Sequence, residues 1–99
     1  MNPAKGARSR VVALTDLPNV GQATAGDLRL LGIDRPSDLV GRCPYEFYDQ
    51  LCATTGSRQD PCVMDVLISV THFMNGGEAR AWWSFTAERK AEVLRRAAP

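Results

Sequence analysis

Cys62, Asp65, Ser69 and His72 follow one another at spacings of three, four and three residues, which on a helix sets a thiol, a carboxylate, a hydroxyl and an imidazole on one face. Such groups suit acid–base or metal chemistry, but their spacing disfavours both. Asp65 and His72 would be separated by about 10 Å of helical rise, too far for a direct hydrogen bond. The chain has 1 His and 3 Cys, and Cys43, Cys52 and Cys62 stand too far apart in sequence for the usual zinc-ligand pairs. Polar contacts between this face and the loop that carries Trp82 and Trp83 are therefore expected. Cys62 also follows Pro61 at a predicted helix start, where the helix dipole lowers a thiol pKa and opens a redox role, although burial is the commoner fate of such a cysteine. The cysteines, odd in number, are expected as reduced thiols. No acid–base pair, nucleophile arrangement, nucleotide loop or metal cluster stands out. No catalytic residue, metal or cofactor is expected, and the chain is not read as an enzyme.

A second stretch offers binding rather than catalysis. Leu17-Pro18-Asn19-Val20-Gly21 leads straight into the amphipathic run Gln22-Ala23-Thr24-Ala25-Gly26-Asp27-Leu28-Arg29-Leu30-Leu31, which Gly32-Ile33 closes. A turn with Asn or Gly at positive φ, followed at once by a helix, exposes amide N–H groups at the positive end of the helix dipole. That arrangement docks a phosphate oxygen. It is the pattern of a helix-hairpin-helix motif, and the same unit serves elsewhere as plain scaffold or as a protein contact.

The elements that would position these groups are short. The chain's 99 residues, 44% hydrophobic and 23% charged, suit one small globular domain with a single core. Residues 1–9 read as a flexible lead-in and 10–98 as the domain. Ser9 would cap a first helix carrying Val11, Val12 and Leu14 and ending before Pro18. Gln22 to Leu31 forms the second, with Ala25, Leu28 and Leu31 inward and Gly32 as its stop. Gly26 inside it implies close packing against a neighbour. Asp34 would cap a one-turn helix at 36–40, followed by a helix from Pro44 to about Thr54 that Gly56 ends.

Asp60-Pro61 is the sharpest helix start in the chain, and the helix it opens should run to Met74. Val63, Val66, Leu67, Val70 and Phe73 share one face, widened by Met64 and Ile68, which marks this as the central core helix. Gly76-Gly77 breaks it. Gly77 to Phe85 is then an ordered loop anchored by Trp82 and Trp83, one of them in the core; stacking on unpaired bases is their alternative role. Thr86 would cap a last helix whose buried stripe is Ala87, Ala91, Leu94 and Ala98. The helices 44–54 and 61–74 with their connection could echo the first hairpin as a second, degenerate one. No stretch alternates with period two, so the fold expected is all-α, a compact, SAM-domain-like bundle of five to six short helices containing the hairpin.

Charge is distributed unevenly around a net of +1. Lys5, Arg8 and Arg10 make the first ten residues basic, and Arg89, Lys90, Arg95 and Arg96 against Glu92 do the same for the last eleven. Residues 11–88 hold five basic and ten acidic side chains, a net of −5. The ends are thus free to contact phosphate, while the balance as a whole does not advertise nucleic-acid binding. With no apolar run of membrane-spanning length and no apolar segment after the basic N-terminus, the expected compartment is the cytoplasm, away from any membrane.

Three runs together carry a resemblance. Leu14 to Gly21 with Asp27 to Ile33 resembles helix-hairpin-helix proteins in general. Arg58-Gln59-Asp60-Pro61-Cys62-Val63-Met64-Asp65, Phe73-Met74-Asn75-Gly76 and Trp82-Trp83-Ser84-Phe85-Thr86-Ala87-Glu88-Arg89-Lys90 are similar to the small bacterial pathogenicity-locus family, sometimes labelled mitomycin-resistance-like. The resemblance spans about residues 14–94. It implies a compact helical fold and sequence-nonspecific binding of double-stranded DNA, as an accessory to a process such as repair or protection. Carried onto this chain, the phosphate-binding stretch is Pro18 to Thr24: amides of Val20, Gly21 and Ala23 on the Pro18-Asn19 turn, helped by the side chains of Gln22 and Thr24. Asn19 stands where many such hairpins have Gly, and Gln22 and Thr24 stand where a cation would be usual. The counterion-release contribution must then come from Arg29, Lys5, Arg8, Arg10 or the last helix, or be small. The competing expectation is a protein-interaction adaptor in which the hairpin is scaffold only.

Overall fold

An acid and a proline start the longest helix. In the computed structural model, which describes residues 10–97, the Asp60 carboxylate accepts the Cys62 amide at 2.9 Å and Pro61 opens a helix to Met74. Chain order gives α1 Gln22–Leu30, α2 Pro44–Thr55, α3 Pro61–Met74 and α4 Thr86–Ala97, with short 3-10 turns at Leu14–Asp16, Pro36–Leu39 and Trp82–Phe85. The protein is all-helical, and no strand forms among the described residues. Four α-helices and brief 3-10 turns replace the five to six helices expected. None of the four is long and apolar enough to cross a membrane.

α3 is the centre, as its broad apolar surface requires. Met64 to Thr71 and Phe73 are all buried, and α2, α4 and the 3-10 turns at 36–39 and 82–85 pack around it. α2 contributes Phe47, Tyr48 and Leu51 and stops at Gly56, whose φ of 66° is left-handed. Tyr48 Oη donates to the Gln59 carbonyl and so ties the α2–α3 connection back onto α2. α2 and α3 are neighbours, but no turn like that at 17–20 joins them. α1 buries Ala25 and Leu28 and ends in a full Schellman stop: Gly32 at φ 81°, its amide on the Arg29 carbonyl, and the Ile33 amide on the Leu28 carbonyl, both at 3.0 Å.

Several sequence expectations are corrected. The first hairpin helix does not form in the described residues; Asp16 draws the Val12 and Ala13 amides onto its carboxylate at 3.0 and 2.8 Å, bending the chain into the 14–16 turn, and Val12 is exposed. Ser9, its expected cap, lies outside the described residues. Asp34 is not the cap of the 36–39 turn, because Asp38 reaches back to accept the Asp34 and Arg35 amides. Gly26 meets no neighbour within 4 Å, so its place in α1 reflects no close approach.

The last third departs furthest. Phe85, 1% exposed, anchors the 77–85 loop; Trp82 is half-buried and Trp83 is 61% exposed. The expected stripe of α4 faces water at Ala87, Ala91 and Leu94, and Ala98 lies outside the described residues. α4 buries no residue. It docks instead through charge: Thr86 does not cap the helix but donates to Asp65 Oδ2 at 2.8 Å, and Arg89 Nε reaches Asp65 Oδ1 at 2.9 Å. Asp65 is wholly buried, so the face of α3 toward α4 offers a carboxylate where an apolar stripe would need an apolar partner.

A glycine fixes the other end of α3. A Cβ on Gly77 would stand 2.2 Å from His72 Nε2, and the imidazole is held edge-on to Phe85 at 5.3 Å, so it has no easy retreat. Gly77→Ala is expected to lose about 1–3 kcal/mol by overpacking. Chemical denaturation, with an unchanged slope against denaturant, checks it.

Candidate nucleic-acid interface

The turn before α1 is built from the inside. Val20 N–H donates to the Leu17 carbonyl at 3.3 Å, with Pro18 and Asn19 between them and Asn19 at φ 67°, the geometry of a type II turn. Asn19 is wholly buried, and its side chain holds the turn from below: Nδ2 donates to the Arg80 carbonyl at 2.7 Å and to Ser69 Oγ at 3.2 Å. Ser69 in turn donates to the Val66 carbonyl at 2.6 Å. The turn is thereby fixed to both α3 and the loop that follows it.

Gly21 is the N-cap of α1, with extended backbone and no side chain to cap the helix. The Ala25 amide is the first to reach back, to the Gly21 carbonyl at 3.0 Å. The amides of Gln22, Ala23 and Thr24 have no acceptor within the helix, and they sit where the dipole is positive. Gln22 and Ala23 are exposed and Thr24 half-exposed, so a ligand reaches this turn from solvent.

The residues expected to bind phosphate therefore separate. Pro18, Asn19 and Val20 are buried, and the Val20 amide is engaged in the turn. They shape the site without offering groups to it. Gly21, Gln22, Ala23 and Thr24 form one exposed turn. Arg29 lies seven residues further along α1, about 10 Å of rise away at its negative end. It faces solvent but does not join the first turn.

The polar face of α3 is dispersed into separate structural contacts, of which only that of His72 is made with the tryptophan loop, at Phe85. Asp65 binds Thr86 and Arg89, Ser69 binds Asn19, and His72 packs on Phe85. Cys62 is exposed at the first turn of α3, yet its thiol pKa is pushed up rather than lowered, chiefly by its hydrogen bond with the Asp60 carboxylate; the Asp60 carboxyl is itself held down by the Cys62 amide. The redox reading loses its basis. The sequence marks Arg89 only as part of a basic C-terminal end. Its role could have been found from Asp65, a carboxylate set among the apolar positions of the core helix.

Two hollows flank α3. One, of about 440 Å3, opens between α2, α3 and α4 and includes Tyr45, Tyr48, Met64, Arg89 and Val93. The other, of about 220 Å3, lies between α1 and α3 and is lined by Thr24, Asp27, Cys62, Val63, Val66 and Trp82.

Comparison with known proteins shows the family of the chain. The family described as Pathogenicity locus matches residues 7–91. A mitomycin resistance protein, McrB, of Streptomyces lavendulae is 40% identical over 77 residues, covering 78% of this chain and 73% of the relative. No solved structure matches. The chain belongs to the pathogenicity-locus family.

Proposed function

We propose that this pathogenicity-locus protein is a non-enzymatic DNA-binding module that takes a backbone phosphate at the first turn of α1, as an accessory to a process such as DNA repair or protection. The observation that carries the reading is the cap. A buried, side-chain-locked turn delivers a glycine to the N-cap position, so the amides of residues 22–24 are presented without a competing carboxylate or hydroxyl. Contacts of this kind read no bases, which makes binding sequence-nonspecific. The name of the Streptomyces relative concerns mitomycin resistance, and a protective role on DNA is compatible with it.

Fluorescence anisotropy with labelled duplex and single-stranded oligonucleotides, across a salt series, tests the proposal. Gly21→Asp is the decisive variant. Gly21 has extended backbone and open space at its Cβ, so aspartate fits and should stabilise α1 by a few tenths of a kcal/mol as an N-cap. Its carboxylate would occupy the amides and repel phosphate. Loss of DNA affinity in a variant at least as stable as the parent is expected; no binding by the parent even at low salt overturns the proposal.

A protein-interaction adaptor is the second reading. It is favoured by α4, whose Val93 and Leu94 are exposed on a helix with no fully buried residue. No DNA binding by the parent would favour it, whereas unchanged DNA binding in Gly21→Asp would put the grip on DNA elsewhere than this turn.

A further inference from the structure

We infer that the hollow between α1 and α3 receives a single unpaired nucleobase, whose own backbone phosphate rests on the first turn of α1; the inference thus builds on the phosphate site proposed above. The hollow begins where that turn ends. Thr24 belongs both to the exposed first turn and to the wall of the hollow, and Asp27 stands one helical turn beyond it on the same side of α1. The opposite wall is apolar, Val63 and Val66 of α3, and Trp82 completes the lining.

Each part matches a feature of a base. Trp82 supplies an aromatic surface, and stacking on aromatic rings is how unpaired bases are commonly held. The Trp82 and Trp83 rings meet in a T-shaped arrangement with centroids 5.6 Å apart. The side chains of Val63 and Val66 add apolar lining against which a base packs. Asp27 is an acceptor-only carboxylate, and no hydrogen bond or ion pair to it occurs among the described residues. A base edge answers it with N–H donors, and guanine has two adjacent ones, N1–H and the 2-amino group, in a bidentate match. At about 220 Å3 the hollow has room for one base.

Occupancy requires the base to leave a duplex or to lack a partner. The phosphate grip is blind to sequence; the hollow adds a preference for single-stranded or extrahelical nucleotides, guanine first. Trp83→Phe leaves Trp82 as the sole tryptophan and its emission as the reporter. Oligothymidylate carrying one central guanine is the probe, compared with all-thymidylate and with the same guanine strand annealed to its complement. Quenching by the single strands, strongest with guanine, and little quenching by the duplex is expected. Trp82→Ala should weaken single-strand affinity at least about tenfold and leave duplex affinity unchanged, with Trp82→Phe recovering most of it. Asp27→Asn should abolish the guanine advantage. Single-strand affinity unaffected by Trp82→Ala, or equal quenching by duplex, overturns the base site while leaving the phosphate site standing. Binding to no oligonucleotide overturns both.

Discussion

Asp65→Ala is expected to destabilise the protein by about 2–4 kcal/mol, because removing one member of a buried ion pair strands the other. The Asp65 side chain is fully buried and accepts both Arg89 Nε and Thr86 Oγ1, whereas the Arg89 side chain keeps 15% exposure and can partly relax toward water. That relief places the loss below the upper end of the range for buried pairs. The effect should be local before it is global. α4 has no buried side chain, and its remaining ties are peripheral: the Arg96 guanidinium over the Tyr45 ring at 4.6 Å and a long contact to the Cys43 thiol. Amide exchange across 86–97 should therefore rise sharply in the variant, while α3 loses protection only in proportion to overall stability. Urea denaturation gives the total. A double variant with Asp65→Leu and Arg89→Met should recover much of the loss, since a well-packed apolar pair replaces a buried charged one at little cost; failure to recover would mean that Asp65 matters for shape rather than charge.

Phe85→Ala is expected to cost about 3–5 kcal/mol, the range for emptying a fully buried aromatic site. Phe85 is 1% exposed, receives the edge of His72, and carries the Arg80 guanidinium over its ring at 4.2 Å. Arg80 also donates to Ser84 Oγ and to the Ser84 carbonyl, so the loss of the ring loosens the loop whose Arg80 carbonyl supports Asn19. Trp83→Ala, at a residue 61% exposed, should change stability by no more than about 0.5 kcal/mol. Thermal melts of the two variants side by side check the contrast.

That contrast shows what was legible in the sequence and what was not. Local signals survived into the structure: Asp60-Pro61 starts α3, Gly32-Ile33 closes α1, and Gly56 stops α2, each because a cap or a left-handed residue acts within a few positions of itself. The apolar period of α3 likewise marked the centre of the core. Tryptophan size pointed to the wrong anchor, since burial of Phe85 depends on where the 82–85 turn meets α3, a tertiary matter. α4 departs from the expected burial for a related reason. Its alanines and Leu94 have helical spacing, but whether a stripe is buried depends on the partner, and the partner here is a carboxylate. At the candidate site the exposed turn 21–24 was visible in the motif. The buried role of Asn19 was not, because Ser69 and Arg80 lie 50 and 61 residues away.

Those two separations bear on the order in which the protein becomes itself. Contacts so distant in sequence form late, after the chain between them has collapsed, because closing long loops costs entropy before any contact rewards it. The turn at 17–20 can be sampled early, but its left-handed asparagine is secured only once α3 is in place and the loop after it has folded over. The presentation of the α1 amides is consequently a property of the finished fold. A nascent chain that has emerged only through α1 carries the whole motif and not yet the platform, so any grip on nucleic acid would be acquired at the last stage of folding.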